Sequence, residues 1–533
     1  RRRLLFDELA ARHAALAAGS TPVAVYFGAE QPVLSVSVRL VIDGPFIPLQ
    51  PEELAICDLS DWRRPAALAH PLPGGGSYYT QASVDPITGR IAFPDIAARA
   101  IPVDDDPIDP NTGHIKTPLN RVPLEVKVSC SHGFPGDVGS GPYDRSDSID
   151  ASFHFAGDAA NPAVWQVGVS RTMPAIGTEQ VFSTLQAAVQ AWNALPAGTV
   201  GVIVMMDALC YQAGDDTANP VAKVLLQAGS SLLIAAAGWP LTDIPNGGGV
   251  KERRAGNFSV QNLRAHFRGD IEVSDNTAAG STAPGRLVLN GLLIEGTITV
   301  NADALDAQSA TVPGNLGLLQ LDHVTLNPGR AALSVEGHNE RLNISLTRSI
   351  SGALDLGAET PAIRIDNSII DAQAISGTPA LSAPSATLQI GRSTVFGSIA
   401  AKLLYASETL FMDPVTVAQK QSGCVRFCYL AEGSRTPSRF ECQPDLALAK
   451  APAADAETTR LRVKPQFTAQ RYGDPAYTQL ARATASEISQ GAEDSAEIGV
   501  WNFLKQPQRI ANLNASLDEY LRAGLEAGVL FAT

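Results

Sequence analysis

Several acidic side chains are spaced so that they could act together on a substrate. Asp270 and Glu272 lie two residues apart in a strand-like segment, so an extended backbone would place both carboxylates on one face. Asp322, Asp366 and Asp371 recur in later strand-like segments and could line one groove. Paired carboxylates are the groups that cleave glycosidic bonds. The alternative is structural: a solvated strand face for the first pair, and chain corners for Asp322 and Asp366.

Other catalytic signatures are weak in this sequence. A lyase would need a base and a positive group that holds a uronate carboxylate, and Arg348, Arg364 and Arg392 could form such a basic ladder or simply lie on the surface. The sequence has no Gly-x-Ser-x-Gly, His-Glu-x-x-His or phosphate-loop pattern, and aromatic residues, which sugar subsites use for stacking, make up only 6%. We therefore predict no cofactor and do not favour an enzyme.

The six cysteines do not indicate a metal site. Cys424, Cys428 and Cys442 lack the paired Cys-x-x-Cys spacing of zinc ligands and have no histidine nearby. A Cys424–Cys442 bridge that closes a short loop is conceivable. The remaining three read as small buried side chains: Cys57, Cys130 and Cys210.

Composition excludes some classes of protein. With 40 Lys+Arg against 54 Asp+Glu, the chain carries a net charge of −14, which argues against a protein that coats nucleic acid. Charged residues total only 18%, as expected where stacked coils are surfaced by small polar residues. There is no apolar run long enough to span a membrane, and residues 1–19 read as an amphipathic helix rather than a signal peptide.

The pattern changes near residue 181. Leu185, Ala188, Val189 and Trp192 form one helical stripe after a Ser-Thr cap, and the apolar run 200–206 then predicts a buried strand. A short helix followed by a buried strand resembles the opening cap of right-handed parallel β-helices of the pectin-lyase type.

A repeated rung follows this cap. Each repeat has an alternating strand, one corner residue, two small spacers and a second apolar strand, and stacking is what buries its apolar face. Because Asn, Asp and Gly tolerate a left-handed backbone, we expect the corner residues to bend the chain. They are separated by 32, 25, 19, 25 and 16 residues: Asn290, Asp322, Thr347, Asp366, Gly391 and Ser407.

The predicted fold is therefore mainly β, with a right-handed parallel β-helix at its centre. We expect an N-terminal helix (1–19), a small β-sandwich-like domain (20–145), a connector (146–180), the β-helix (181–420) and a loop-rich docking segment (421–533). A helix over 516–528, after Pro507, should present an apolar stripe. Its predicted assembly contacts, with neighbouring apolar residues, are Trp501, Phe503, Leu513, Leu517, Tyr520, Leu521 and Phe531.

Six strings in order carry a more specific likeness. They include Ile-Cys-Asp-Leu-Ser-Asp-Trp-Arg-Arg-Pro at 56–65, the segment 84–94, and His-Gly-Phe at 132–134 with Gly-Pro-Tyr-Asp-Arg at 141–145. The others are 423–427 with 433–437, 471–475 and 491–494. Together they resemble a poorly characterised family found with phage-tail-like contractile injection systems and their baseplate genes. Cys428 departs from the pattern, which has Ser there. The resemblance implies a structural protein with a β-helix middle and supplies no active-site residues.

Two classes of function follow from these observations. The first is a structural or interaction subunit of a contractile injection particle at or near the baseplate. It would be assembled in the cytoplasm and released with the particle, with other tail subunits or further copies of itself as partners. The second acts on cell-surface glycan, either as a β-helix polysaccharide lyase or glycoside hydrolase or as a glycan-binding tailspike. The cleaving enzyme would require a cleft with at least two carboxylates within about 10 Å. Dispersal of the candidates over different faces would exclude it: Asp270, Glu272, Asp322, Asp366 and Asp371.

Overall fold

A computed structural model gives the structure of this chain. It describes residues 2–520 apart from 23–26, 28–32, 41–43, 60–65, 74, 87–88, 95–107, 110–112, 116, 118, 120–122, 131–135, 159–160, 217–219, 244–250, 276–282, 302, 306–310, 314–315, 330–331, 338, 358, 373–378 and 475. The chain divides into two compact units. The first comprises residues 1–134 with 469–477, and the second comprises 135–468 with 478–533.

The first unit is β-rich and built around one apolar core. Helix α1 (Arg2–Ala17) contributes Leu5 and Leu9 to the core that also contains Val36 and Val38, so the N-terminal helix is part of this unit. Its strands form small sheets, β2-β1-β8, β3-β6-β7 and β4-β5. They are β1 (Leu34–Arg39), β2 (Ile47–Pro48), β3 (Leu54–Ile56), β4 (Ala69–Pro71), β5 (Ser77–Tyr79), β6 (Ala82–Asp85), β7 (Arg90–Ala92) and β8 (Glu125–Cys130).

The second unit is a parallel β-helix, as predicted, whose rungs stack into three faces. Face A consists of β9 (Trp165–Val169), β11 (Val200–Met205), β14 (Ser231–Ala236), β19 (Arg286–Asn290), β24 (Leu318–Asp322), β27 (Asn343–Thr347), β30 (Ala362–Asp366), the second halves of β32 (Leu381–Gly391) and β34 (Ile399–Ser407), β37 (Gly423–Arg426) and β39 (Arg439–Phe440), with β10 (Val181–Phe182) on β9.

Face B contains β13 (Ala222–Leu226), β18 (Ile271–Asp275), β21 (Ile298–Val300), β26 (Leu333–Val335), β29 (Leu354–Leu356), the first halves of β32 and β34, and β36 (Val415–Val417). Face C contains β12 (Cys210–Gln212), β17 (His266–Arg268), β20 (Leu293–Glu295), β25 (Thr325–Leu326), β28 (Ile350–Ser351), β31 (Ile369–Asp371), β33 (Thr394–Phe396), β35 (Leu410–Phe411) and β38 (Tyr429–Leu430). Two hairpins project from the coils: β15 (Thr242–Asp243) with β16 (Lys251–Glu252), and β22 (Asp303–Leu305) with β23 (Thr311–Pro313).

The β-helix extends beyond the predicted limits at both ends. At its start, β9 lies in the segment expected to be a connector and pairs in parallel with β11. Helix α2 (Leu185–Asn193) packs the predicted stripe against these first strands, and the Thr184 hydroxyl accepts a hydrogen bond from the backbone N–H of Ala187. At the other end, parallel pairing continues past residue 420 to β39.

The predicted corner residues lie in register along face A. Strand pairing aligns Asn290, Asp322, Thr347, Asp366, Gly391 and Ser407 in one ladder. The left-handed bend, however, falls one residue later than we expected, because each corner residue is still the last extended residue of its strand. The bend positions have φ between 44° and 71°: Gly291, His323, Arg348, Asn367, Arg392 and Glu408.

A second ladder of hydroxyl groups runs inside this corner. The Ser349 Oγ donates to the carbonyl of Thr347 and accepts from the N–H of Val324 on the preceding rung, at 3.0 and 3.1 Å. Ser368 repeats this pattern towards Ser349. Each buried hydroxyl therefore satisfies one backbone donor and one acceptor where the strands bend. The remaining members are Ser393, Thr409 and Cys428.

The C-terminal part of the second unit packs short helices against face C. These are α3 (Asp445–Lys450), α4 (Ala456–Arg462) and α5 (Ser486–Ser489), and the longer α6 (Gln506–Tyr520) follows them. Val463, Ile488 and Ile498 form a core with Leu410 and Tyr429 of the β-helix. The loop-rich segment is thus attached to the solenoid by its own apolar contacts.

Candidate functional site

Asp270 and Glu272 lie on face B and both point away from the core, as their spacing predicts. The carboxylate of Asp270 accepts the backbone N–H of Thr297 at 2.8 Å. The Glu272 carboxylate lies 3.2 Å from the ammonium of Lys223 on the neighbouring strand. Each carboxylate therefore contacts a group on an adjacent rung at the outer surface of the β-helix.

Asp322 and Asp366 lie on face A, in equivalent register on strands separated by one other strand. That arrangement puts their backbones about 10 Å apart. Asp322 is only 2% exposed and accepts from the Gln320 side chain at 2.6 Å, and burial raises its pKa to about 6. Asp366 instead contacts Arg364 at 2.6 Å and Arg392 at 3.8 Å.

The single groove expected for these carboxylates does not form. Asp371 lies on face C, whereas Asp322 and Asp366 lie on face A and the remaining two lie on face B. The spacing of acidic residues along the chain did not indicate this, because the loops that insert between strands change which face a given offset reaches.

The loop 136–145 covers the corner beside Asp322. The backbone N–H of Gly139 donates to the carbonyl of Arg348 at 2.6 Å, and that of Ser140 donates to the Thr325 hydroxyl at 2.8 Å. The Tyr143 ring lies 5.3 Å from the ring of His323. The loop's backbone thus contacts the strands closely and closes the corner that a substrate would need to enter.

Arg145 holds this loop in place. Its side chain is 1% exposed and donates to the Asn290 side chain at 3.0 Å and to the carbonyls of Gly141 and Ala236 at 2.6 Å each. A further bond reaches the carbonyl of Leu263 at 3.2 Å. Burial lowers the pKa of this guanidinium. Sequence reasoning identified the string that contains Arg145 but did not identify its role, since Ala236, Leu263 and Asn290 lie 91 to 145 residues away in the chain.

Trp501 and Phe503, predicted as assembly contacts, are half-buried against their own chain. The Trp501 ring packs on Gly136 so closely that a Cβ there would not fit, and its indole N–H donates to the Thr478 hydroxyl at 3.2 Å. The guanidinium of Arg348 lies 5.1 Å from the centre of the Phe503 ring. Both aromatic residues therefore help to attach the C-terminal segment to the β-helix.

The start of helix α6 is held in place by polar contacts with residues that precede it. Lys505 pairs with Asp494 and donates to the Asn502 side chain at 2.9 Å, and the Gln508 amide donates to the carbonyl of Asp494 at 2.9 Å. The helix starts at Gln506, earlier than the predicted 516, because proline is well tolerated in a first helical turn.

The apolar stripe of α6 is open to solvent. Leu513 is 46% exposed and Tyr520 78% exposed, with Leu517 half-buried between them on the same side of the helix. No residue of the described helix is buried. Leu521 and Phe531, the other two predicted contacts, lie outside the described residues. Helix α6 is thus held at its N-terminal end, while the described part of its apolar stripe is largely exposed.

The C-terminal cysteines are free thiols. Cys424 is exposed on β37, whereas Cys428 and Cys442 are buried, so the conceivable Cys424–Cys442 bridge is not formed. Burial raises the pKa of both buried thiols. The Cys428 thiol takes the place of a hydroxyl in the inner ladder, accepting from the N–H of Thr409 and donating to the carbonyl of Arg426.

Within the described parts of the chain, no group of three or more His, Cys, Asp or Glu side chains is arranged to hold a metal ion. None of the described helices is sufficiently long and apolar to cross a bilayer. Comparison of the chain with models of known protein families and with curated proteins gave no match.

Proposed function

We propose that this protein is a structural, non-enzymatic subunit of a phage-tail-like contractile injection particle, located at or near the baseplate. The observation that carries the proposal is the ordered set of strings at 56–65, 84–94, 132–145, 423–437, 471–475 and 491–494. The subunit would assemble in the cytoplasm and leave the cell with the particle. Other tail or baseplate subunits would be its partners.

Two features of the fold support this proposal. The β-helix is a continuous stack with an apolar core along its whole length, which suits a rigid spacer. Helix α6 presents Leu513, Leu517 and Tyr520 to solvent from an anchored base, which suits docking into a groove of another subunit.

Glycan cleavage has weaker support. Its predicted carboxylates, Asp371 included, occupy all three faces of the β-helix, and Asp322, whose raised pKa would suit a general acid, is covered by the chain's own loop. Glycan binding as a tailspike would need a separate surface, and no contact in the described residues favours one.

The test is co-purification from the native producer. Particles should contain this chain together with sheath and tube subunits. Leu513→Asp combined with Tyr520→Asp should remove it from particles without changing its melting temperature, because both side chains are exposed. Asn512→Asp, on another side of the same helix, should leave it particle-bound. Recovery of the native chain only as a free protein, or full retention of the double variant, would contradict the proposal.

A further inference from the structure

The outer strand of the first sheet in the N-terminal unit carries an exposed apolar row. Strand β8 pairs with β1 on one side, with Val126 opposite Val38 and Val128 opposite Val36. Val36 and Val38 are fully buried, whereas Val126 and Val128 are 39% and 41% exposed and Leu124 is 55% exposed. The apolar face of the sheet therefore continues beyond the core on to an edge strand, which is the arrangement that associates with another strand.

The pairing of β1 shows which backbone groups of β8 face outward. The N–H of Leu49 donates to the carbonyl of Val36, so the polar groups of Val36 point towards β2. Because these directions alternate along a strand, Ser37 points towards β8 and is bonded to its partner Lys127. The N–H and C=O of Val126 and Val128 then point away from β1. In the described part of the chain, no strand pairs with that side of β8.

We propose that β8 pairs antiparallel with β8 of a second copy of this chain, about a twofold axis at Val126. Val126 then lies opposite Val126 of the partner subunit, and the two residues exchange both backbone hydrogen bonds. Leu124, whose N–H donates to the carbonyl of Arg39 in its own sheet at 2.8 Å, lies next to the partner's Val128 at the end of the paired segment, so the apolar rows of the two copies lie side by side. The two sheets become one continuous six-stranded sheet.

The charged residues of β8 indicate both which strand pairs with it and in which register. In this register Glu125 lies directly opposite the partner's Lys127, and Lys127 lies opposite the partner's Glu125, all on the face that does not carry the apolar row. If the pairing register shifts by two positions in either direction, Glu125 lies opposite the partner's Glu125, or Lys127 lies opposite the partner's Lys127. The strand is therefore self-complementary in one register only, which favours a second copy over an unrelated strand.

Disulfide trapping tests the register directly. In Val126→Cys the new thiols lie opposite each other across the twofold axis, at about 5.5 Å between Cα atoms, which is within disulfide range. In Val128→Cys they are offset by four residues, about 13 Å, which is too far. We expect a covalent dimer on mild oxidation for the first variant, and only the wild-type background for the second. Equal cross-linking of both variants would overturn the proposed register.

Charge reversal tests the interface in solution. Wild-type protein should show a reversible monomer–dimer equilibrium by sedimentation over a concentration series. Lys127→Glu should weaken it at least tenfold, because it faces Glu125 of the partner subunit while keeping the 3.0 Å Arg39–Glu125 contact. The double variant Glu125→Lys with Lys127→Glu should restore dimerisation. A wild-type protein that remains monomeric, or a double variant no more dimeric than Lys127→Glu, would overturn the proposal. The measurement uses purified chain, so it is independent of association with a particle.

Discussion

Replacement of Arg145 by methionine should destabilise the β-helix unit more than any surface change. Methionine has a similar volume but none of the donors that reach Asn290, Gly141 and Ala236. Each buried acceptor left without a partner costs about 1–3 kcal/mol. The substitution also removes a buried positive charge, which offsets part of this cost. Burial disfavours the charged guanidinium, as its lowered pKa indicates. For three to four unpaired acceptors less this return, the net expectation is a loss of about 3–5 kcal/mol in the free energy of unfolding.

The assay is denaturant unfolding followed by tryptophan fluorescence. Four of the five tryptophans lie in the β-helix unit, so the signal reports mainly on that unit: Trp165, Trp192, Trp239 and Trp501. Arg145→Lys is the matched variant, since it keeps the charge but cannot reach partners in several directions. It should lose most of the same stability. If Arg145→Lys unfolds within about 1 kcal/mol of wild type, the reasoning from the forked hydrogen bonds is refuted.

Gly291 provides an independent check on the same contact. A Cβ at this position would lie 2.5 Å from the Arg145 Cζ, and its φ is +71°. Gly291→Ala should therefore destabilise the wild-type background strongly. In an Arg145→Ala background the clash is gone, and only the left-handed strain of about 1–2 kcal/mol remains. The two substitutions should thus be clearly non-additive.

Three further predictions concern buried polar groups. Cys428→Ser should be nearly neutral, whereas Cys428→Val should cost about 1–3 kcal/mol because the N–H of Thr409 loses its acceptor; unfolding curves distinguish the two. Asp322→Asn should stabilise the β-helix unit by about 3 kcal/mol at pH 8 and have little effect at pH 4. The reason is that burial raises the pKa of Asp322 to about 6, so the wild-type protein loses folding stability as pH rises from about 4 through 6 and the buried carboxyl ionises. Burial lowers the pKa of His13 to about 4, so the contribution of His13 to the stability of the N-terminal unit should fall as pH drops from 6.5 towards 4. Burial raises the pKa of Glu53 to about 7, and its contribution changes in the opposite direction. The stability of wild type minus that of His13→Gln, measured by thermal unfolding, isolates the histidine and should decrease over this range.

Much of the β-helix could be predicted from sequence because its signals are local. Alternating apolar residues and a polar corner recur in each rung, and the register of Asn290, Asp322 and Asp366 follows from aligning those patterns. The bend position could not be read in the same way. Residues such as Arg348 and Glu408 adopt the left-handed backbone there, because pairing with the rungs on either side outweighs their own conformational preference.

The contacts that determine whether a ligand can reach the candidate side chains could not be predicted from local sequence patterns. Arg145 lies 145 residues before Asn290 in the chain, and nothing in a glycine-rich loop indicates which corner it will cover. Similarly, the four candidate carboxylates are regularly placed in sequence, but loop insertions of different length distribute them over faces A and B. The local sequence pattern predicts the strands and corner of each rung, whereas long-range packing determines which side chains a ligand can reach.

The loop that covers Asp322 also bears on the choice between a structural and a glycan-cleaving protein. Access of a glycan to this corner requires release of the loop and therefore loss of the hydrogen bonds that Arg145 makes. At about 3–5 kcal/mol, the open form would be populated in roughly one molecule in 10² to one in 10⁴. A substrate would have to supply that free energy from its own binding before any chemistry began. An Arg145→Met protein that unfolds like wild type would remove this obstacle, so the stability measurement tests the argument against glycan access to this corner.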